Sequence, residues 1–246
     1  MNWSEQQINT LIRKIYNGRY NALKLPKKLY NDIASHFTDG VYKGYGDSIA
    51  TVAYDSPDFA MLSHLRENVY LFSAAKTFNY VLDTENLIVE GNEVLPFKVF
   101  KERALSVYSD YNKTWLETEY NTAIAQSQHA RAWNDFDEDA ILKYMLTSGV
   151  EHAQVCLDMQ GVCKHKSDPI WIDKSPQNHF GCLCYLDASF DNKPTKTPSS
   201  IASPDQGFAN NPGITKEVFN KEHPYFDVDP KYKKFAKTNF GLPLPE

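Results

Sequence analysis

Three residues with soft donor atoms fall within one short run, His179, Cys182 and Cys184, spaced H-x-x-C-x-C. Pro176 and the amides Gln177 and Asn178 precede them and predict a turn. A turn lets such side chains converge to the close, tetrahedral distances that zinc requires. Cys156 is the natural fourth ligand, with Cys163, His165 or His152 as substitutes. The spacing is less specific than a pair of C-x-x-C knuckles, and a second reading stands beside it. In that reading the cysteines are buried and act as small hydrophobes next to a hydrogen-bonded histidine. A thiol nucleophile is a third arrangement, with Cys182 or Cys184 attacking, His179 as base and Asp168 as orienter. Nothing in the spacing requires it. A zinc deaminase needs His-x-Glu and Pro-Cys-x-x-Cys, whereas Pro176 here leads into Gln177-Asn178-His179. The expectation is a chain without enzymatic activity.

All four cysteines of the chain lie between His152 and Leu186, so the elements around that stretch must position them. Ser4 and Gln7 form a capping-box pattern, and Ile8, Leu11, Ile12 and Ile15 then share one helical face that Gly18 ends. Pro26 opens a second helix whose Leu29, Ile33 and Phe37 continue to Gly40. Gly44, Gly46 and Pro57 predict an irregular segment. A third helix begins at Asp58 and carries Phe59, Met61, Leu62, Leu65, Val69 and Phe72. Residues 1–90 therefore read as a helical N-terminal region, its aromatic stripe packed as core. Gly91 and Pro96 mark a boundary. From there to Gly149 no glycine or proline interrupts the chain, which predicts one long helix or two nearly collinear ones. The acidic run Asp135 to Asp139 reads as a solvated helix end. Ile141, Leu142, Tyr144 and Leu146 are too short a run to decide between helix and strand. Asp191 to Pro204 reads as a flexible surface loop, followed by the turn cluster Gly207 to Gly213. A tail with Phe219, His223, Tyr225, Phe226 and the lysines 231, 233, 234 and 237 closes the chain.

A chain of 246 residues can bury a sizeable core. A hydrophobic fraction of 42% is modest, but 13% aromatics compensate with large buried area per residue. A net charge of −5 argues against broad coating of nucleic acid. Met1-Asn2-Trp3-Ser4-Glu5 has no basic region followed by an apolar one, so no signal peptide is expected. No apolar run approaches the roughly 18 residues of a membrane span. These features predict cytosolic synthesis, with the cysteines as thiols or metal ligands in place of a disulfide scaffold.

The order of these motifs resembles the phage Mu F-like minor head proteins, the phage head morphogenesis family. Cys156 precedes Gly161 with Leu157-Asp158-Met159-Gln160 between. Asp168-Pro169-Ile170-Trp171 matches the family's middle element, and Ser175-Pro176-Gln177-Asn178-His179-Phe180-Gly181-Cys182-Leu183-Cys184 matches its close. Gly207-Phe208-Ala209-Asn210-Asn211-Pro212-Gly213 is similar to the turn that often follows. The breaker-free stretch with Trp115 to Ala123 is similar to the family's helical lead-in. The match covers roughly residues 96 to 230. Ser175 stands where the family has a proline, and Leu183 where it has an arginine, which removes a group that would bind anions. Ala153 stands where some relatives carry an extra cysteine, so a four-ligand site must come from Cys156, His179, Cys182 and Cys184.

The resemblance implies an α+β fold: a helical N-terminal part and a long helix leading into a small mixed module at 96–190, then a linker-rich loop and tail at 191–246. It implies a structural role in capsid assembly, with portal, capsid and scaffold proteins as partners. It further implies the contact with packaged DNA that some members make, and a location in the virion after assembly in the host cytoplasm; zinc as the candidate cofactor follows from the ligand spacing, and no membrane partner from the lack of an apolar span. A competing expectation is a phage-derived effector, associated with a nuclease or toxin and using the Cys/His site. A third is a zinc-stabilised DNA-binding accessory protein.

Overall fold

A computed structural model of the chain describes residues 3–244. Met1 and Asn2, part of the N-terminal stretch read for a signal peptide, lie outside the described residues. Helix dominates, accompanied by small antiparallel sheets, and the class is α+β. Among the described residues no helix is long and apolar enough to cross a membrane.

Helix α1 (Glu5–Tyr16) begins at the capping box foreseen at Ser4 and Gln7 and buries Ile8, Leu11, Ile12 and Ile15. Helix α2 (Lys27–Tyr45) starts after Pro26 but does not stop at Gly40. It continues through Gly44, where the backbone of Ile124 lies so close that a Cβ would come within 2.1 Å of its carbonyl oxygen. The glycine is selected for close approach, and its helix-breaking tendency is overridden. Helix α3 (Pro57–Asn86) is capped by Ser56, whose hydroxyl accepts from Phe59 N–H at 3.1 Å; Asp58 lies inside the first turn. A two-residue hairpin, β1 (Val89–Glu90) and β2 (Glu93–Val94), turns at Gly91, which adopts positive φ.

The breaker-free stretch is helical as far as the acidic run: α4 (Phe97–Ser109), a π-helical turn (Asp110–Thr114) and α5 (Trp115–Asp135). Residues at both junctions keep right-handed helical backbone, so the chain passes through without a cap. The ambiguous run becomes strand β3 (Ile141–Met145), with Leu142 and Tyr144 turned inward. It is the middle strand of a three-stranded antiparallel sheet, flanked by β4 (Cys163–His165) and β5 (Tyr185–Asp187). Short helices α6 (Gln154–Met159), α7 (Ile170–Asp173), α8 (Pro212–Thr215) and α9 (Lys233–Ala236) follow, with 3-10 turns at Pro224–Phe226, Pro230–Tyr232 and Asn239–Gly241.

The chain forms two compact units. One comprises Met1–Thr38, Val69–Tyr120 and Tyr225–Glu246, the other Asp39–Asn68 and Asn121–Pro224. These are discontinuous, whereas the sequence reading set regions 1–90, 96–190 and 191–246 end to end. Helices α2, α3 and α5 each contribute residues to both units, a feature that local punctuation does not encode. The linker-like segment 191–204 is tied down: Thr195 N–H donates to the Cys163 carbonyl at 2.9 Å and Ala202 N–H to Asp158 at 2.9 Å.

Candidate metal centre

The mixed unit has a core made of Trp133, Leu142, Tyr144, Val155, Cys156, Met159, Val162, Trp171, Cys182, Cys184 and Leu186. Of the motif residues singled out in the sequence, Cys156, Trp171, Cys182 and Cys184 are in it. Helix α6 delivers Cys156 to this core, and Gly161, with φ of 76°, then turns the chain into β4. Gly161 N–H donates to Tyr144 O at 2.9 Å, which fixes that turn against the central strand. Trp171 is fully enclosed and donates its indole N–H to His165 O at 3.0 Å. The later turn closes over it. Asn211 caps α8 through Gly213 N–H at 3.0 Å and donates to Trp171 O at 3.0 Å. Gly213 packs on Trp133 so tightly that a Cβ would meet its ring at 2.3 Å.

The segment after Pro176 needs two left-handed residues, Gln177 at φ 76° and Gly181 at φ 73°. This bends it around the cysteines. Cys156, His179 and Cys182 come together, one ligand atom from each lying within 4.8 Å of the other two, close enough to bind a metal ion. The Cys156 and Cys182 sulfurs are 3.8 Å apart. Two thiolates on a tetrahedral zinc at the usual bond length would be separated by about 3.8 Å. His179 Nδ1 lies 2.9 Å from Phe180 O. A carbonyl only accepts, so Nδ1 carries the proton and Nε2 keeps its lone pair. That Nε2 is buried and has no hydrogen-bond partner. A ligating histidine is held in this way, its remote N–H on a carbonyl and its near nitrogen free for the metal.

Cys184, the fourth ligand expected from the sequence, is buried in the same core but lies outside the group whose ligand atoms fall within 4.8 Å of one another; its sulfur is 3.8 Å from His152 Nδ1. Hydrogen bonds from Cys156 and Cys184, then the backbone N–H groups of Cys184 and Asn178, drive Cys182 far below the usual thiol pKa against the effect of burial. The neighbouring Cys156 and Cys182 thiols, then burial, push Cys184 up. For Cys156 the hydrogen bond to Cys182 is the largest upward influence. Tyr144 hydroxyl donates to Cys156 sulfur at 3.4 Å and accepts from Asn178 Nδ2 at 2.9 Å. Neither Tyr144 nor Asn178 was singled out by sequence reasoning. Tyr144 lies in the run undecided between helix and strand, Asn178 reads only as a turn amide, and nothing local marks them as partners.

The remaining candidates lie elsewhere. Cys163 directs its sulfur to Gly161 O at 3.5 Å, and His165 is exposed on β4. Asp168, the proposed orienter of a thiol nucleophile, accepts from Ile170 N–H at 3.0 Å at the start of α7. The orienting contact on His179 comes from Phe180 instead. Ser175, at the position of the family's proline, is fully buried and hydrogen-bonds to His129 Nε2 at 2.7 Å. Burial lowers the His129 pKa to about 4, with Asn211 and Cys182 acting in the opposite direction. No family model, curated protein or solved structure matches the chain.

Proposed function

We propose that this chain is a structural minor head protein of a tailed phage or prophage, acting in head assembly at the portal, with its Cys/His cluster serving as a zinc clasp. The observation that carries the reading is the enclosure of the cluster. Cys156, Cys182 and Cys184 are buried in the same core as Trp171 and Tyr144. Donors built into a core suit a closed structural site, whereas a catalytic zinc keeps a position open to substrate. Cys156, Cys182 and Cys184 would hold zinc as thiolates and His179 through Nε2. Zinc bound there supplies folding free energy by cross-linking α6 to the C-x-C turn. The order of motif elements, each now with a packing role, supports the head-assembly reading. The exposed lysines 231, 233, 234 and 237 are where a phosphate backbone would be met.

The test is co-purification with the portal protein of the phage or prophage that carries the gene, with zinc quantified in the same sample. The wild type is expected to carry one zinc per chain and to bring down portal. Cys182→Ser is expected to lose the zinc and most of the portal. A wild type that neither enters virions nor binds portal would sink the assembly reading, whatever its metal content.

A further inference from the structure

Charge is unevenly spread along this acidic chain. From Gln6 to Asn31 the sequence holds six basic residues and no acidic one. Arg13, Lys14, Arg19 and Lys28 border two neighbouring depressions beside α1, of about 260 and 580 Å³. Gln6, Thr10 and Lys14 line both, and their spacing of four places them in one row along the helix. Lys28 has a carboxylate partner, Asp32 at 2.6 Å; among the described residues the other three cations have none. Glu5, which also borders the larger depression, accepts from Asn9 at 3.4 Å.

Aromatic rings stand among these charges. Trp3 and Tyr20 line the smaller depression, with Lys28 Nζ 5.0 Å from the Trp3 ring centre and Lys14 Nζ 5.4 Å from that of Tyr20. The Trp3 indole N–H donates to Asp32 at 2.6 Å, which holds the ring in place. Trp3 also borders a third depression, of about 700 Å³, where His36 and Tyr120 stack with ring centres 4.3 Å apart, beside Lys113 and Glu117. Asn112, in the π-helical turn, lines it too, 2% exposed and with both amide atoms unpartnered among the described residues. An amide offers one donor and one acceptor side by side, which matches the edge of a nucleobase.

We propose that these three depressions form a track for single-stranded nucleic acid. Arg13, Lys14, Arg19 and Lys28 take the phosphates, and bases lie against Trp3, Tyr20 and the His36–Tyr120 pair. Cations interleaved with ring faces are what a strand with unstacked bases needs, and base–aromatic stacking carries much of its affinity. Duplex DNA keeps its base faces stacked and would meet the cations alone. A lipid surface offers no ring to stack and no base edge. The net charge of −5 keeps such attraction local. The inference rests on neither the zinc clasp nor the head-assembly reading.

The experiment follows the fluorescence anisotropy of a labelled oligothymidine of about 15 nucleotides with the full chain at rising salt. Unlabelled strand, dT·dA duplex and phosphatidylglycerol vesicles serve as competitors, and unlabelled strand is expected to displace best. Lys14→Gln should weaken binding and make the salt slope shallower by about 0.7. Tyr20→Ala should weaken it about tenfold at unchanged slope; Tyr20→Leu replaces it if the urea midpoint shows the fold lost. Lys196→Gln, exposed and in the other unit, should bind as the wild type does. Failure to bind at low salt overturns the inference. So does a wild type displaced as readily by duplex or vesicles as by single strand, or a Tyr20 variant that binds undiminished.

Discussion

At the scale of single residues, the costliest arrangement lies away from the cysteines. Lys76 and Glu119 are both enclosed, with Lys76 Nζ 2.7 Å from Glu119 Oε2 and 3.3 Å from the Tyr225 hydroxyl. Burial lowers the Lys76 pKa and raises that of Glu119, in each case against the attraction of the partner. The rings of Tyr111 and Tyr225 lie 5.3 and 5.1 Å from the ammonium and return part of the desolvation cost. Removing one charge strands the other, so Lys76→Met is expected to destabilise by about 3–5 kcal/mol in urea unfolding. Adding Glu119→Leu should recover most of that loss. A double variant as unstable as the single would show that the pair is held for its hydrogen bonds to tyrosine. The metal-site residues were legible because chelation imposes short spacing: His179 and Cys182 are near in sequence, and Cys156 precedes a glycine turn. Their supports, Asn178 on Tyr144 and Ser175 on His129, connect distant segments and leave no periodic trace.

Elements were legible where their signal is local. The Ser4 capping box, the apolar face of α1 and the unbroken helical stretch after Pro96 all follow from periodicity and punctuation. The π-helical turn at Asp110–Thr114 keeps the helix continuous while shifting its register, and no residue type announces it. Strand β3 was undecided because a short apolar run suits helix or strand until flanking strands claim it. Helix α2 was expected to end early because glycine counts as a breaker, whereas Gly44 is where Ile124 comes close. Gly44→Ala tests that explanation directly. Helix propensity alone would stabilise α2 by a little under about 1 kcal/mol. Steric conflict with the Ile124 backbone should instead cost about 1–3 kcal/mol. A raised urea midpoint would show that α2 accommodates a methyl group there and would overturn the explanation.

Over the whole molecule, residues 225–244 belong to the same compact unit as residues 3–38. Composition made the C-terminal region read as linker and tail, because its prolines, asparagines and lysines are those of a loop. Loop chemistry here serves to lay a non-repetitive segment onto helices. In one unit, Asn68 accepts from the N–H groups of Val218 and Phe219 and donates to Phe219 O, all at 2.9 Å. In the other, Tyr30 hydroxyl donates to Pro243 O, and Phe240 stacks on Phe78 at 4.6 Å between ring centroids. Phe240 is 6% exposed and adopts φ of 54°, a conformation that a bulky residue accepts only when packing outweighs backbone strain. Phe240→Ala separates the two views of this segment. A surface tail would tolerate it within about 0.5 kcal/mol, whereas a buried aromatic should cost about 3–5 kcal/mol. The midpoint of urea unfolding, read by far-ultraviolet circular dichroism, decides between them. An unchanged midpoint would return the final residues to the role of a tail, and a large fall would make them part of the helical core.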